Sequence, residues 1–317
     1  MLFRLLAIPN LNFYVGARLD RHTRFGIGGA ARVLCDASTE QALAATLAAV
    51  RESGWRQTII GGGTNLIVAD EGFYGAVVRY TAKSIDIDGS RVRVEAGAVL
   101  QDLVDASMAA GLRGLETMTG IPGWVGGAIY GNAGAYGHSI DERVESVRFF
   151  NGREVREIGK ADCEFRYRES VFKTIGKEKD WIVLGATLRM EPGHAEDFGA
   201  AAASILKIRN AKYPPEMRCA GSIFKNLFLA DLPESARALV PEEVVREGKV
   251  PSAYFLERAG AKGERRGGIR VADYHANLIY NEGGGSAREL RELIGELKAR
   301  VLAKFGVELE EEVQFVG

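Results

Sequence analysis

The chain has 317 residues, 46% of them hydrophobic and 26% charged, a composition typical of a globular protein and long enough for two domains. Its formal net charge of −1 leaves no basic excess to neutralise a phosphate backbone, so nucleic-acid binding has no global electrostatic support. No apolar run approaches the length of a membrane span.

The opening residues, Met1 to Pro9, are too short and too soon broken by proline to read as a secretory signal. Three cysteines, Cys35, Cys163 and Cys219, are too scattered for a disulfide framework or a metal cage, and the expected location is the cytoplasm. Residues 31–36 predict a short strand, and Ser38-Thr-Glu-Gln41 predicts a capping-box start for a helix with Leu43, Leu47 and Val50 on one face, ending near Gly54. Residues 58–60 form a strand running into Gly61-Gly-Gly-Thr-Asn65, and further strands fall around 77–78, 85–87 and 92–94. A second amphipathic helix carries Leu100, Leu103, Val104 and Met108 and stops at Gly111, after which residues 112–137 read as glycine-rich and irregular.

Strand-like pieces at 147–150 and 181–190 close this half, and an alanine-rich helix follows to about Lys207. Lys212-Tyr-Pro-Pro215 is a natural boundary, because paired prolines cannot continue a helix. Ser286-Ala-Arg-Glu289 is a second capping box, opening a long helix with Leu290, Leu293, Ile294, Leu297, Val301 and Phe305 on one stripe and Gly306 as its stop. A final strand is predicted over 307–315. Strands and helices mix without steady alternation, which points to an α+β fold.

Glycine is the compositional outlier, with 39 copies against 8 prolines. Its clusters lack a three-residue period, and clustered glycine means positive φ or backbone brought close to a ligand. Gly26-Ile-Gly-Gly-Ala-Ala31 has the letters of a dinucleotide fingerprint, but a strand follows it where one should precede it, so a Rossmann reading does not fit. Gly61-Gly-Gly-Thr-Asn65 after a strand lets backbone N–H groups converge on an anion, with a tight strand-to-loop turn as the alternative. Residues 120–127 and 132–137 form a second uncharged, glycine-rich region in the same half. Two such regions suit a long ligand with phosphates in its middle, such as a dinucleotide cofactor; two ordinary connecting loops are the other reading.

Arg168 in Phe165-Arg-Tyr-Arg-Glu-Ser170 reads equally as a surface arginine paired with a local glutamate. Ser222 follows Gly221 without a GxSxG elbow, so it suits a proton donor more than a nucleophile, and a turn serine is the other reading. Glu312 ends a Glu310-Glu-Glu run that on its own is a solvated strand end. His22, His138 and His194 lack ligand-like spacing and are given structural or surface roles, and no metal site is expected.

Taken in register, seven segments resemble the UDP-N-acetylenolpyruvoylglucosamine reductase family over nearly the whole chain. They are His22-Thr-Arg-Phe-Gly-Ile-Gly-Gly29, Gly61-Gly-Gly-Thr-Asn-Leu66, Gly120-Ile-Pro-Gly-Trp-Val-Gly-Gly-Ala128, Tyr167-Arg-Glu-Ser170, Gly221-Ser-Ile-Phe-Lys-Asn226, His275-Ala-Asn277 and Leu309-Glu-Glu-Glu-Val-Gln314. The resemblance implies a vanillyl-alcohol-oxidase (PCMH-type) FAD-binding domain over 1–196, with subdomains of about 1–80 and 81–196, and a smaller α+β substrate domain over 205–317. It implies FAD binding by Gly61, Gly62, Gly63, Thr64, Asn65, Leu66, Gly120, Ile121, Gly123, Gly126, Gly127, Asn132 and Gly134.

Its catalytic residues fall at Arg168, Ser222 and Glu312, and its substrate contacts at Lys212, Asn226, Lys262 and His275. The implied reaction is NADPH-dependent, FAD-mediated reduction of UDP-N-acetylglucosamine enolpyruvate to UDP-N-acetylmuramate, in peptidoglycan precursor synthesis. Arg168 would stabilise negative charge developing on the substrate carboxylate, Ser222 would give the proton, and Glu312 would orient or polarise the site. Other classes consistent with the residues are another flavin oxidoreductase of the same domain type and a non-catalytic nucleotide-sugar binding protein. Two features depart from the family pattern. Gln314 stands where an arginine is common, and the stretch from Arg168 to Lys212 is short, as in the shorter subclass.

Overall fold

A computed structural model describes residues 1–193 and 195–317; His194 lies outside the described residues. The chain divides into two units. The first comprises Met1–Ala17, Ala31–Gly62 and Tyr74–Pro215, and the second Arg18–Ala30, Gly63–Phe73 and Glu216–Gly317. Each has its own hydrophobic core, the first around Val33, Leu47, Phe149 and Leu184, the second around Phe224, Phe255, Val271 and Leu293. Each such side chain taken fully from water contributes roughly 1.5–3 kcal/mol before entropy is counted.

In the first unit, Leu11–Val15 and Ala31–Ala37 pair antiparallel, and Gln57–Ile59 runs parallel to Phe73–Tyr80 in the same four-stranded sheet. A second, wholly antiparallel sheet has the order Val155–Gly159, Val144–Phe150, Ile182–Arg189, Arg91–Glu95, Ile85–Asp88. The second unit is built on an antiparallel sheet of Cys219–Ser222, His275–Asn281, Ile269–Ala272 and Arg265–Arg266, packed with helices Ser252–Arg258 and Ala287–Phe305. Strands Leu66–Val68 and Gln314–Val316 pair in parallel within it. The architecture is the expected α+β.

The long helix Ala287–Phe305 starts on the predicted capping box and stops at Gly306, whose φ of 65° is the left-handed stop that glycine adopts without strain. Asp70 adds a second cap, accepting from the N–H groups of Ala287 (2.7 Å) and Arg288 (3.0 Å). Elsewhere the structure corrects the expectations. The helix Glu40–Glu52 is capped by Thr39, whose hydroxyl accepts from Ala42 N–H at 3.1 Å, while Ser38 donates to Asn10 O. The alanine-rich helix runs to Lys212, because nothing before Pro214 interrupts it. Only Gln314–Val316 of the predicted final strand is paired as a strand. Residues 112–137, read as irregular, contain the helix Val125–Tyr130.

All three cysteines are buried, and none is in a disulfide. Burial pushes the Cys35 and Cys163 thiols up from 9.0 to about 12. Burial acts likewise on Tyr80, which donates to Glu95 at 2.8 Å and titrates above its ordinary range. These groups keep their protons to higher pH in the folded chain than in the unfolded one. Their contribution to stability is therefore whole below about 9.0 and is lost as pH rises toward about 12. The urea midpoint is expected to fall between about pH 8.5 and about pH 10.5, and a thiol reagent at about pH 8 should label Cys35 and Cys163 only on unfolding. A midpoint that holds or rises across that window, or rapid labelling of the native chain, contradicts this account.

Candidate active site

In the first unit the two uncharged glycine regions converge on Trp124. The strand Gln57–Ile59 delivers Gly61 and Gly62 against its indole: a Cβ on Gly62 would stand 3.0 Å from Cδ1, and one on Gly61 4.0 Å from the ring. Trp124 precedes the helix Val125–Tyr130, which is held by main-chain bonds from Val125 N–H to Ala98 O (2.9 Å) and Gly126 N–H to Ala96 O (2.8 Å). The glycines differ in why they are glycine. Gly120 and Gly123 have φ of 76° and 118°, and a Cβ on Gly126 would lie 2.8 Å from Ala96 Cβ. Gly127 has negative φ and nothing within 4 Å of its missing Cβ, so its exposed side opens outward. Ile121 is half-buried, its N–H donating to Met118 O at 2.9 Å. Residues 119–135 carry no charged side chain, so this segment brings no carboxylate to repel a diphosphate, which suits a dinucleotide.

Arg168 lies in the same unit, at the tip of a two-residue hairpin. Arg166 and Glu169 exchange main-chain bonds of 3.0 and 3.1 Å, leaving Tyr167 and Arg168 between them. Arg168 takes φ of 58°, a left-handed value for which glycine or asparagine is preferred at such a position. Surrounding bonds impose it. Asn132 Nδ2 donates to Arg166 O (3.0 Å), Lys173 Nζ donates to Arg168 O (2.8 Å), and Arg168 Nη2 donates to Gly134 O (2.9 Å). Glu169 pairs with Lys173 at 3.0 Å. Asn132 is 4% exposed, and its Oδ1 accepts from Asp141 N–H at 3.3 Å; its side chain secures the Arg168 hairpin.

In the second unit, Ser222 ends the strand Cys219–Ser222, and the half-buried Glu312 lies on the segment beside it. Glu312 N–H donates to Ile223 O (2.7 Å) and Lys225 N–H to Glu310 O (2.9 Å), while Lys225 Nζ reaches Glu310 at 2.5 Å. Asn65 joins from the glycine loop, its Nδ2 donating to Glu312 O (3.0 Å) and its O accepting from Gln314 N–H (2.9 Å). The structure thus brings Asn65, Ser222 and Glu312 onto three adjoining strands of backbone. Gly63, with φ of 69°, cannot carry a Cβ, which would strike His22 O. Thr64 and Leu66 are half-buried beside it, Leu66 opening its strand.

His275 opens the neighbouring strand, its Nδ1 accepting from Asn277 N–H at 3.2 Å. Asn226 is half-buried next to Lys225. Lys262 is exposed, paired with Glu257 at 3.0 Å, and Lys212 ends its helix in the first unit over the Tyr213 ring at 5.0 Å.

Sequence reasoning gave no role to Trp124 or Asn277, although both stand inside the motifs it singled out. Asn277 is 2% exposed, and its carboxamide bonds both main-chain groups of Phe224, two residues past Ser222. A buried polar residue inside a motif otherwise made of apolar strand was the available signal. Among the described residues, no group of three or more His, Cys, Asp and Glu could hold a metal ion, and no helix is long and apolar enough to cross a membrane.

Residues 31–155 match the family described as FAD binding domain, and residues 213–316 the family described as UDP-N-acetylenolpyruvoylglucosamine reductase, C-terminal domain. The UDP-N-acetylenolpyruvoylglucosamine reductase of Solibacter usitatus is 58% identical over 99% of this chain and all of its own length. That of Carboxydothermus hydrogenoformans is 35% identical over 94% of this chain and 92% of its own. Among solved structures, the reductase of the same name from Thermus caldophilus is 27% identical, with a TM-score of 0.74 over 97% of this chain and 99% of its own. The chain belongs to the UDP-N-acetylenolpyruvoylglucosamine reductase family.

Proposed function

We propose that this protein reduces UDP-N-acetylglucosamine enolpyruvate to UDP-N-acetylmuramate with FAD and NADPH, in the cytoplasm, as a step of peptidoglycan precursor synthesis. The observation that carries this reading is the end-to-end likeness to a reductase of that name. Arg168, held in a left-handed conformation by three external bonds, supports it independently. Such strain persists where the surroundings over-determine it, and it gathers at functional sites. The domain division follows the same reading, with an FAD-binding domain over 1–196 (subdomains of about 1–80 and 81–196) and a substrate domain over 205–317, supported by the family matches within each.

The glycine cradle at Gly61, Gly62, Gly120, Ile121, Gly123, Gly126 and Gly127, with Gly63, Thr64, Asn65, Leu66, Asn132 and Gly134, would hold FAD by backbone and packing. When bound, FAD supplies the redox chemistry between NADPH and the enolpyruvyl group. Arg168 binds the substrate carboxylate through a planar guanidinium that stays protonated, so it can stabilise charge that develops there. Ser222 gives the proton to the neighbouring carbon. A hydroxyl is a weak acid and works only with tight placement against a strong base. Glu312, joined to Ile223 through its N–H, orients or polarises this end of the site, and Lys212, Asn226, Lys262 and His275 contact the UDP-sugar or its enolpyruvyl arm.

FAD should co-purify without a covalent link, since no histidine or cysteine lies in residues 61–66 or 120–134. Acid precipitation is expected to release all of it to the supernatant; colour left on the chain overturns this. Ser222→Ala should leave flavin reduction by NADPH almost intact and slow reoxidation by the enolpyruvyl substrate severely, as stopped-flow absorbance can measure. Equal loss in both half-reactions would make Ser222 a structural turn residue. Arg168→Lys keeps the charge but loses the bidentate geometry, and turnover should drop about 10²–10³-fold. Glu312→Gln should also lower turnover while FAD stays bound. Near-wild-type NADPH oxidation in either variant removes that residue from the mechanism.

A further inference from the structure

We propose that Asn277 is the positioning residue for Ser222: its buried carboxamide takes over from the strand ladder at the point where that ladder fails. This inference rests on the function proposed above. Strand Cys219–Ser222 pairs with His275–Asn281 through Cys219↔Tyr280 and Ser222↔Leu278, so that Ala220 and Gly221 stand opposite the single residue Ile279. That is a bulge, and Gly221 within it has φ of 78°. Bulges re-aim a side chain but leave an extra residue outside the ladder, so the direction of the next side chain depends on what fixes the backbone beyond.

Beyond Ser222 the chain is held on one side by the segment 310–312, where Glu312 N–H bonds Ile223 O, and on the other by Asn277. Its main-chain O accepts from Ile223 N–H at 3.1 Å. Its side chain then acts as a peptide group would in a strand pair, with Oδ1 accepting from Phe224 N–H (2.9 Å) and Nδ2 donating to Phe224 O (2.8 Å). The second Nδ2 proton goes to Ser252 Oγ at 2.8 Å, and Ser252 donates to the same Phe224 O at 3.3 Å. Asn277 and Ser252 are 2% and 0% exposed. Both side-chain donors of Asn277 are committed to the protein, so the residue acts through Ser222 and not on the substrate.

The test is a double-mutant cycle read in the two half-reactions by stopped-flow absorbance. Asn277→Ala is expected to slow reoxidation of the flavin by the enolpyruvyl substrate on the order of 10- to 100-fold, the cost of misplacing a reacting group. Reduction by NADPH should change less than about twofold. In a Ser222→Ala background the same substitution should cost less than about twofold, because the group it positions is gone. Equal losses in both half-reactions, or a full loss added to that of Ser222→Ala, overturn the proposal. Should Asn277→Ala not yield folded protein, Ser252→Ala removes one arm of the clamp. It is expected to show the same pattern at about a tenth of the size, again vanishing without Ser222, and an additive loss there overturns the proposal as well. A wild-type protein whose reduced flavin is not reoxidised by the substrate overturns the functional reading and this inference together. Normal wild-type reoxidation with an additive cycle overturns this inference alone.

Discussion

Near its end the chain lays Gln314–Val316 parallel to Leu66–Val68, setting Gln314 on Leu66 and Val316 on Val68. The two strands are three residues each and lie almost 250 positions apart in sequence. The contacts of Asn65 and Glu312 with the Ser222 segment follow from this pairing. Gln314 N–H meets Asn65 O, which brings Asn65 Nδ2 to Glu312 O, and Glu312 N–H then meets Ile223 O beside Ser222. The segment 310–314 is therefore a central rung, bonded to the glycine loop on one side and to the Ser222 segment on the other. Asp70, just past Leu66–Val68, ties the same loop to the helix Ala287–Phe305 by capping its first N–H groups. The departure at Gln314 falls on this rung, but its main-chain bond to Asn65 does not depend on the side chain.

Local signals were legible where the chemistry is local. The helix Ala287–Phe305 announces itself by a capping box, a 3.6-residue stripe and a terminal glycine, and the structure keeps all three. The helix Val125–Tyr130 does not. It has six residues, two of them glycine, and it is fixed from outside by Ala96 and Ala98. Ser38 and Thr39 both have cap chemistry, and the choice between them was made by a distant group, Asn10 O, which takes the Ser38 hydroxyl. The division of residues 61–66 between two units, with Gly61 and Gly62 in the first and Gly63 onward in the second, is likewise a fact about long-range contacts.

At the candidate site the residue types were legible and their states were not. Arg168 can be named from its motif, yet no feature of Tyr167-Arg-Glu-Ser170 signals a φ of 58°. That conformation is imposed by Asn132, Lys173 and Gly134, and the Asn132 carboxamide bonds Arg166 and Asp141. Glycine identity was equally opaque to sequence. Gly126 is required by the proximity of Ala96 and Gly123 by its positive φ, whereas Gly127 has open space beside it. Open space beside a glycine is what lets a ligand approach the backbone.

The clamp around Ser222 is neutral throughout: Asn277, Ser252 and main-chain groups of Ile223 and Phe224. On the proposed mechanism this has a reason. A serine hydroxyl is a weak acid and gives up its proton only to a strongly basic centre against which it is tightly placed. Amide hydrogen bonds fix geometry at close range while adding little field. Lys225 and Glu310, further along, are paired to each other at 2.5 Å, and their joint field falls away faster with distance than that of either alone. Placement near the proton donor is thus assigned to groups that carry no net charge, and charge is kept for the residues that act on the substrate.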